Sequence, residues 1–388
     1  MLFLRVASTA SLALIAACAG VSLRPELANA DTLPVYELTA TEQQELAAIT
    51  DRAIQAVVRR HYEEAEQESL RALDIDPRAA RARAVLGMVL LQRARRRDPP
   101  DVFDVNAGET EMLLAEQIAP NDAFVGRMRA DFLAEAGHLS AAAATAEAAL
   151  LRTADAPAAD RAALLAVAGN CRYELGEERA ALPHLQAYFG LQPDDAATAF
   201  RIGSCLFRIA AAPEGAKAME VAQINAEGAA RAFARCAELA PGDADAALAV
   251  GAALVRAAEL VGQRRDLGAP ERRRQQEQRW QQAEEQFRRV AEQFPENAEP
   301  VFRLGVVAET RGDIPASHQA YLQALDRDRR HLGSLLNLAA LLEASGDAAA
   351  AVPLLERALA ADEARAGLSA AERRRLQQRL RDGPTKRD

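Results

Sequence analysis

Val301-Phe302-Arg303-Leu304-Gly305, then Gly312-Asp313, then Ala324-Leu325 is followed by Leu335-Leu336-Asn337-Leu338-Ala339, Gly346-Asp347 and Ala358-Leu359. Each landmark moves by 34 residues. Within one copy, Val301, Leu304, Gly305 and Ala308 fall on one face of a helix, and Ser317, Tyr321 and Ala324 fall on one face of a second. Gly312-Asp313 separates the two and reads as the turn between them. A sequence that repeats itself at this period is a stack of helix pairs, because one pair cannot bury its apolar faces alone.

The same template runs backward through the chain. Pro77, Pro120, Pro193, Pro241 and Pro295 each close a unit, since proline ends a helix, and small residues recur where two helix axes must approach. Gly169 and Ala181, Gly203 and Ala229, and Gly251 and Ala283 are such pairs, and a third unit with Gly137, Ala142 and Ala149 lacks the proline. The count is eight units from about Leu46 to about Asp362. Extra residues fall between the helices of the second unit (Arg95 to Asn106), the fifth (Ala210 to Gln223) and the sixth (Leu260 to Arg279), and a few follow the third near Asp155 to Pro157. Ser369 is placed to cap a last helix, Ala370 to Arg381.

This pattern resembles the tetratricopeptide repeat. The resemblance implies an all-α, right-handed superhelical solenoid of about eight helix pairs with a C-terminal capping helix. The first helices would line a concave groove that takes an extended peptide or a partner's helix. By family placement the groove-facing residues include Phe124, Arg127, Asp131, Asn170, Tyr173, Phe200, Phe207, Arg208, Phe302 and Glu309. Aromatic side chains are only 4% of the chain, so their number at these positions points to partner-binding residues: Phe124, Arg127, Asn170, Tyr173, Phe200, Phe207, Arg208 and Phe302. The lysine and asparagine set that clamps a C-terminal carboxylate in some family members is not reproduced.

Composition agrees with a helical array. Half of the 388 residues are apolar and alanine is abundant, which suits close helix packing, whereas alternating runs rich in Val, Ile and Thr are missing. A formal charge of -9 argues against a general nucleic-acid binder. The arginine-rich stretches Arg264 to Arg279 and Ala364 to Asp388 are interrupted by Glu271, Glu277, Glu372 and Asp382, as solvated helix faces are.

The N-terminus carries an export address. Arg5 precedes an apolar stretch, Val6 to Ala19, too short to span a bilayer comfortably. Two cleavage readings stand. Ile15-Ala16-Ala17-Cys18 resembles a bacterial lipobox, which makes Cys18 the lipidated first residue and residues 1–17 the signal. Ala28-Asn29-Ala30 fits ordinary signal peptidase, which makes residues 1–30 the signal. The apolar core ends at Cys18, which favours the first reading. The stretch from Val21 to Gln43 is then a tether, residues 44–365 the solenoid and 366–388 the capping helix and tail.

Catalytic chemistry finds no carriers. His61, His138, His184, His318 and His331 lie in different units without metal-ligand spacing, and no phosphate-binding glycine loop, HExxH, CxxC or nucleophile elbow is present, so no cofactor, metal or enzyme activity is expected. Cys171, Cys205 and Cys236 read as small core residues. The function expected is a non-catalytic protein-protein scaffold or adaptor in the bacterial cell envelope, exported to the periplasm or anchored through Cys18. The alternative is a carrier or sensor holding a small ligand, lipid or glycan in the groove.

Overall fold

A computed structural model describes residues 28–153, 155–213, 217–365 and 367–382. Cys18 and the apolar stretch before it lie outside the described residues. The described residues form a short 3₁₀ turn, Ala30–Thr32, and seventeen α-helices, with no strand among them. The chain divides into two compact units, 1–201 and 202–388.

In the first unit the helices are α1 (Ala40–Val58), α2 (Tyr62–Ile75), α3 (Ala80–Arg95), α4 (Val102–Ile118), α5 (Ala123–Glu135), α6 (Leu139–Arg152), α7 (Ala158–Glu174), α8 (Glu178–Leu191) and the first residues of α9 (Ala196–Ala211). Each odd helix starts a pair. Thr39 and Glu42 form a reciprocal capping box on α1, the Thr39 N–H donating to Glu42 Oε2 at 2.8 Å. Asp101, Asp122 and Asp195 accept from the first backbone N–H groups of α4, α5 and α9, as a side-chain oxygen at a helix N-cap does. The core runs along the pairs through Val85, Met112, Val125, Phe132 and Ala142.

The second unit continues with the rest of α9, α10 (Ala218–Leu239), α11 (Ala244–Gln263), α12 (Ala269–Gln293), α13 (Glu299–Thr310), α14 (Ile314–Arg327), α15 (Leu332–Ala344), α16 (Ala348–Arg365) and α17 (Ala370–Asp382). In α9, α11 and α13 a glycine sits against an aromatic ring of the partner helix. A Cβ on Gly203, Gly251 or Gly305 would come within 2.4–2.6 Å of Phe233, Phe287 or Tyr321. Those three rings are almost completely buried. The small residue is therefore required by the ring it admits.

Helix lengths explain the expected insertions. Helices α10, α11 and α12 run 22, 20 and 25 residues, against 12 and 14 in α13 and α14. The extra residues of the fifth and sixth units extend the helices themselves, tied by Arg279 to Glu227 at 2.8 Å across α12 and α10. Gly137, Gly176, Gly312 and Gly346, all left-handed, close the tight turns of the third, fourth, seventh and eighth pairs. The last helix is capped by Ser369, whose Oγ accepts from the Glu372 N–H, and Arg373 donates to the buried Asp362 at 2.5 Å.

Part of the stretch expected to be a tether is held by the fold. Ala28 and Ala30 are buried against Leu114 of α4. The Gln117 side chain accepts from the Ala30 N–H at 2.9 Å and donates to the Ala28 carbonyl at 2.9 Å, while Arg78 donates to the Ala30 carbonyl at 2.7 Å.

Candidate functional site: the first-helix face of the first unit

Helices α3 and α5 pack together, and so do α5 and α7. Phe124, Arg127, Asp131 and Glu135 are spaced to share one face of α5. That face is linked to its neighbours by polar contacts. Glu135 accepts from Arg95 Nη1 at 2.5 Å and from the Gln92 side chain of α3, while Arg127 Nε lies 3.8 Å from Asp160 of α7.

At the middle of this face the fold leaves polar atoms unsatisfied. Arg127 Nε and Asn170 Oδ1 are buried with no hydrogen-bond partner among the described residues. Burial pushes the Asp131 carboxyl up to about 6, against the opposing pull of Arg127 and with help from Glu135. Burial, with the Asp131 charge adding to it, also raises the Cys171 thiol to about 11. Cys171 is therefore a protonated, unreactive core thiol. A buried donor, a buried acceptor and a desolvated carboxyl on one face are costly to a fold, and such groups cluster where something else completes them.

The aromatic residues expected to line the groove divide by burial. Phe124 is only 6% exposed, and its ring lies under the guanidinium groups of Arg81 at 5.7 Å and Arg127 at 5.1 Å. Tyr173 is 7% exposed and belongs to the core. Phe302 is half-buried in the second unit and turned sideways, its ring centroid 5.7 Å from Tyr321 and 4.9 Å from His331. Phe200 is half-buried in the first unit, and Phe207, half-buried, and Arg208, exposed, belong to the second. Glu309 accepts the Tyr321 hydroxyl at 2.5 Å. Cys205 and Cys236 are buried.

Four of the histidines stand at helix ends or in ion pairs. His331 caps α15 by accepting from the Ser334 N–H at 3.1 Å, and its Nε2 faces Glu299 at 3.0 Å. Among the described residues no three His, Cys, Asp or Glu side chains gather as a metal site, and no helix is long and apolar enough to cross a membrane.

Helix pairs of this length, stacked in order with small residues of one helix admitting large side chains of the next, make an all-α array that resembles the tetratricopeptide repeat. No protein-family model matches it, and no curated protein does. Among solved structures it is similar to YrrB, described as a tetratricopeptide-repeat protein with an unusual peptide-binding site, at 18% identity over 58% of this chain and 96% of that one, with a TM-score of 0.42. It is also similar to Pseudomonas aeruginosa PilF, at 16% identity over 63% and 93% of the two chains and a TM-score of 0.42. A human IFIT1 dimer with m7Gppp-AAAA shares 18% identity over 77% of this chain and 67% of that one, with a TM-score of 0.33. The likeness to the tetratricopeptide repeat lies in the chain's own spacing and helix pairing.

Proposed function

We propose that this protein is a non-catalytic adaptor that binds a peptide or helix of a partner protein on the first-helix face, and that it works in the bacterial cell envelope. The observation that carries the binding reading is a set of incompletely satisfied groups in the first unit: Arg127 Nε and Asn170 Oδ1, buried without a hydrogen bond, and the desolvated Asp131 carboxyl. A partner's main-chain amides or polar side chains would satisfy all three, and the stability they cost the free protein would be recovered on binding. Phe124, clamped between Arg81 and Arg127, holds the guanidinium at this position.

Anchoring through Cys18 is part of the same proposal. Cutting after Ala30 would sever the Ala28 and Ala30 contacts to Gln117, Arg78 and Leu114, whereas cutting before Cys18 leaves them in the mature chain. That difference supports the lipoprotein reading, because the segment that docks on α4 then remains part of the fold.

The test is capture from detergent-solubilised envelope by the wild type and by Asn170→Leu and Asp131→Asn. A stoichiometric protein that the wild type retains and both variants lose, at melting temperatures equal to or above the wild type, is the expected result. Undiminished capture by both variants would refute the site. A small molecule co-purifying in place of a protein would turn the reading to the carrier.

A further inference from the structure

In the second unit, residues of α14, of α16 and of the turn that joins α14 to α15 line a cleft of about 610 Å³. That volume falls in the range of about 300–1,000 Å³ typical of small-molecule sites. Its lining includes Leu322, 44% exposed, and the half-buried Leu354. Arg329, Arg330 and Arg357 line it too, with Asp326 as the single carboxylate.

The state of these guanidinium groups matters for the cleft. Several neighbouring arginines on second helices are neutralised or spent on carbonyls: Arg288 pairs with Glu284 at 2.8 Å, Arg289 with Glu285 at 3.3 Å, and Arg327 donates to the Asn297 carbonyl at 3.0 Å. Among the described residues Arg329, Arg330 and Arg357 make no ion pair. Arg357 donates one Nη2 bond to the Arg329 carbonyl at 3.0 Å, which fixes its stem in the wall and leaves its other N–H groups for a ligand. Three positive charges against one negative, beside exposed leucine, describe a ligand with a compact anionic head and an apolar tail. Guanidinium forks suit a phosphate or carboxylate head, which they bind through paired N–H donors.

We propose that this cleft binds a single anionic amphiphile, with its phosphate or carboxylate held by Arg329, Arg330 and Arg357 and its hydrocarbon part laid along Leu322 and Leu354. The site is independent of the partner face, being in the other unit and on the other helix of each pair.

Titration calorimetry of the full chain with dodecyl phosphate, kept below its critical micelle concentration, tests this. Inorganic phosphate and dodecyltrimethylammonium are the comparison probes. Dodecyl phosphate is expected to bind at one site, at least tenfold more tightly than inorganic phosphate, and the cationic amphiphile not at all. Arg330→Gln with Arg357→Gln is expected to lower dodecyl phosphate affinity at least tenfold. Because Arg357 braces the turn, Arg329→Gln with Arg330→Gln serves as a second pair whose folding does not depend on that bond. Leu322→Gln is expected to weaken dodecyl phosphate and leave inorganic phosphate unchanged, and Asp131→Asn to change neither. Equal affinity for dodecyl phosphate and inorganic phosphate, or unchanged affinity in both arginine pairs, overturns the proposal. So does binding to phosphatidylglycerol vesicles without binding to monomeric dodecyl phosphate, which would mean a surface attraction and not a cleft.

Discussion

Gly305 to Ala adds one methyl group to the interior of the seventh helix pair, and the structure sets what that methyl meets. Its Cβ would lie 2.5 Å from Tyr321 Cε1 and 2.7 Å from Cδ1. Ordinary contact begins near 3.4 Å, so ring or helix must move by about 0.9 Å. The ring has nowhere easy to go. Tyr321 is fully buried, its hydroxyl donates to Glu309 at 2.5 Å, and it accepts from Asn337 Nδ2 at 3.1 Å. Overpacking of this kind costs about 1–3 kcal/mol, and disturbing the hydroxyl's bonds adds about 1 kcal/mol. Alanine's better helix propensity returns about 1 kcal/mol. The net expectation is a loss of about 2 kcal/mol, which for a cooperative unit of this size lowers the melting temperature by about 4–8 °C. Gly190→Ala is the matched control, because that helical glycine has nothing within 4 Å of its added Cβ. It should gain a few tenths to about 1 kcal/mol. Urea unfolding of both, with Gly305→Ala/Tyr321→Leu to show that the losses are not additive, measures the contact. If Gly305→Ala proves as stable as Gly190→Ala, close approach of ring and glycine does not specify this pairing.

Asp131→Asn is expected to stabilise the protein at pH 7.5 and to leave it nearly unchanged at pH 4. The folded carboxyl titrates near 6 against 3.8 ordinarily, so the folded state holds a proton the unfolded state has released. The wild type therefore loses stability as pH rises from about 4 to about 6, by at most about 3 kcal/mol, and a flat wild-type profile from melts across that range would refute the assignment. Glu309→Ala, which spacing alone places on a solvent-facing position, is expected to cost about 1 kcal/mol because it deprives the buried Tyr321 hydroxyl of its acceptor; denaturant midpoints decide it. Cys18→Ser should release the protein from the membrane fraction or block its processing, and an intact mass that starts unmodified at Asp31 would end the lipoprotein reading.

The architecture was legible because its rules are local and repeated. A glycine on a first helix and an aromatic on its partner are landmarks that can be read without knowing any long-range contact, and Gly305 with Tyr321 and, across the longer sixth pair, Gly251 with Phe287 meet face to face. Ser369 as the cap of a final helix followed from the same logic, since a cap is a side chain bonding to backbone three residues on. The insertions were visible as residue counts only. Whether twenty extra residues coil into a loop or extend two helices depends on partners such as Arg279 and Glu227, which are 52 positions apart. Nothing periodic marks that pair.

The candidate site shows the opposite limit. Periodicity places Phe124, Tyr173 and Phe302 toward one face, but side-chain direction is decided by room, and neighbouring helices offer it. Phe124 turns beneath two guanidinium groups, and Phe302 turns toward the next pair, where Gly333 and His331 receive it. In an array whose cores are mostly alanine, each large ring is more valuable as filling between pairs than as an exposed anchor, because small residues leave space that the backbone alone cannot close. The polar groups on that face behave differently: Asn170 Oδ1 is buried without a hydrogen-bond partner and the Asp131 carboxyl is desolvated, where α5 packs against α7. Under the proposed function, recognition at this face therefore moves from the rings read in the sequence to this amide and carboxyl.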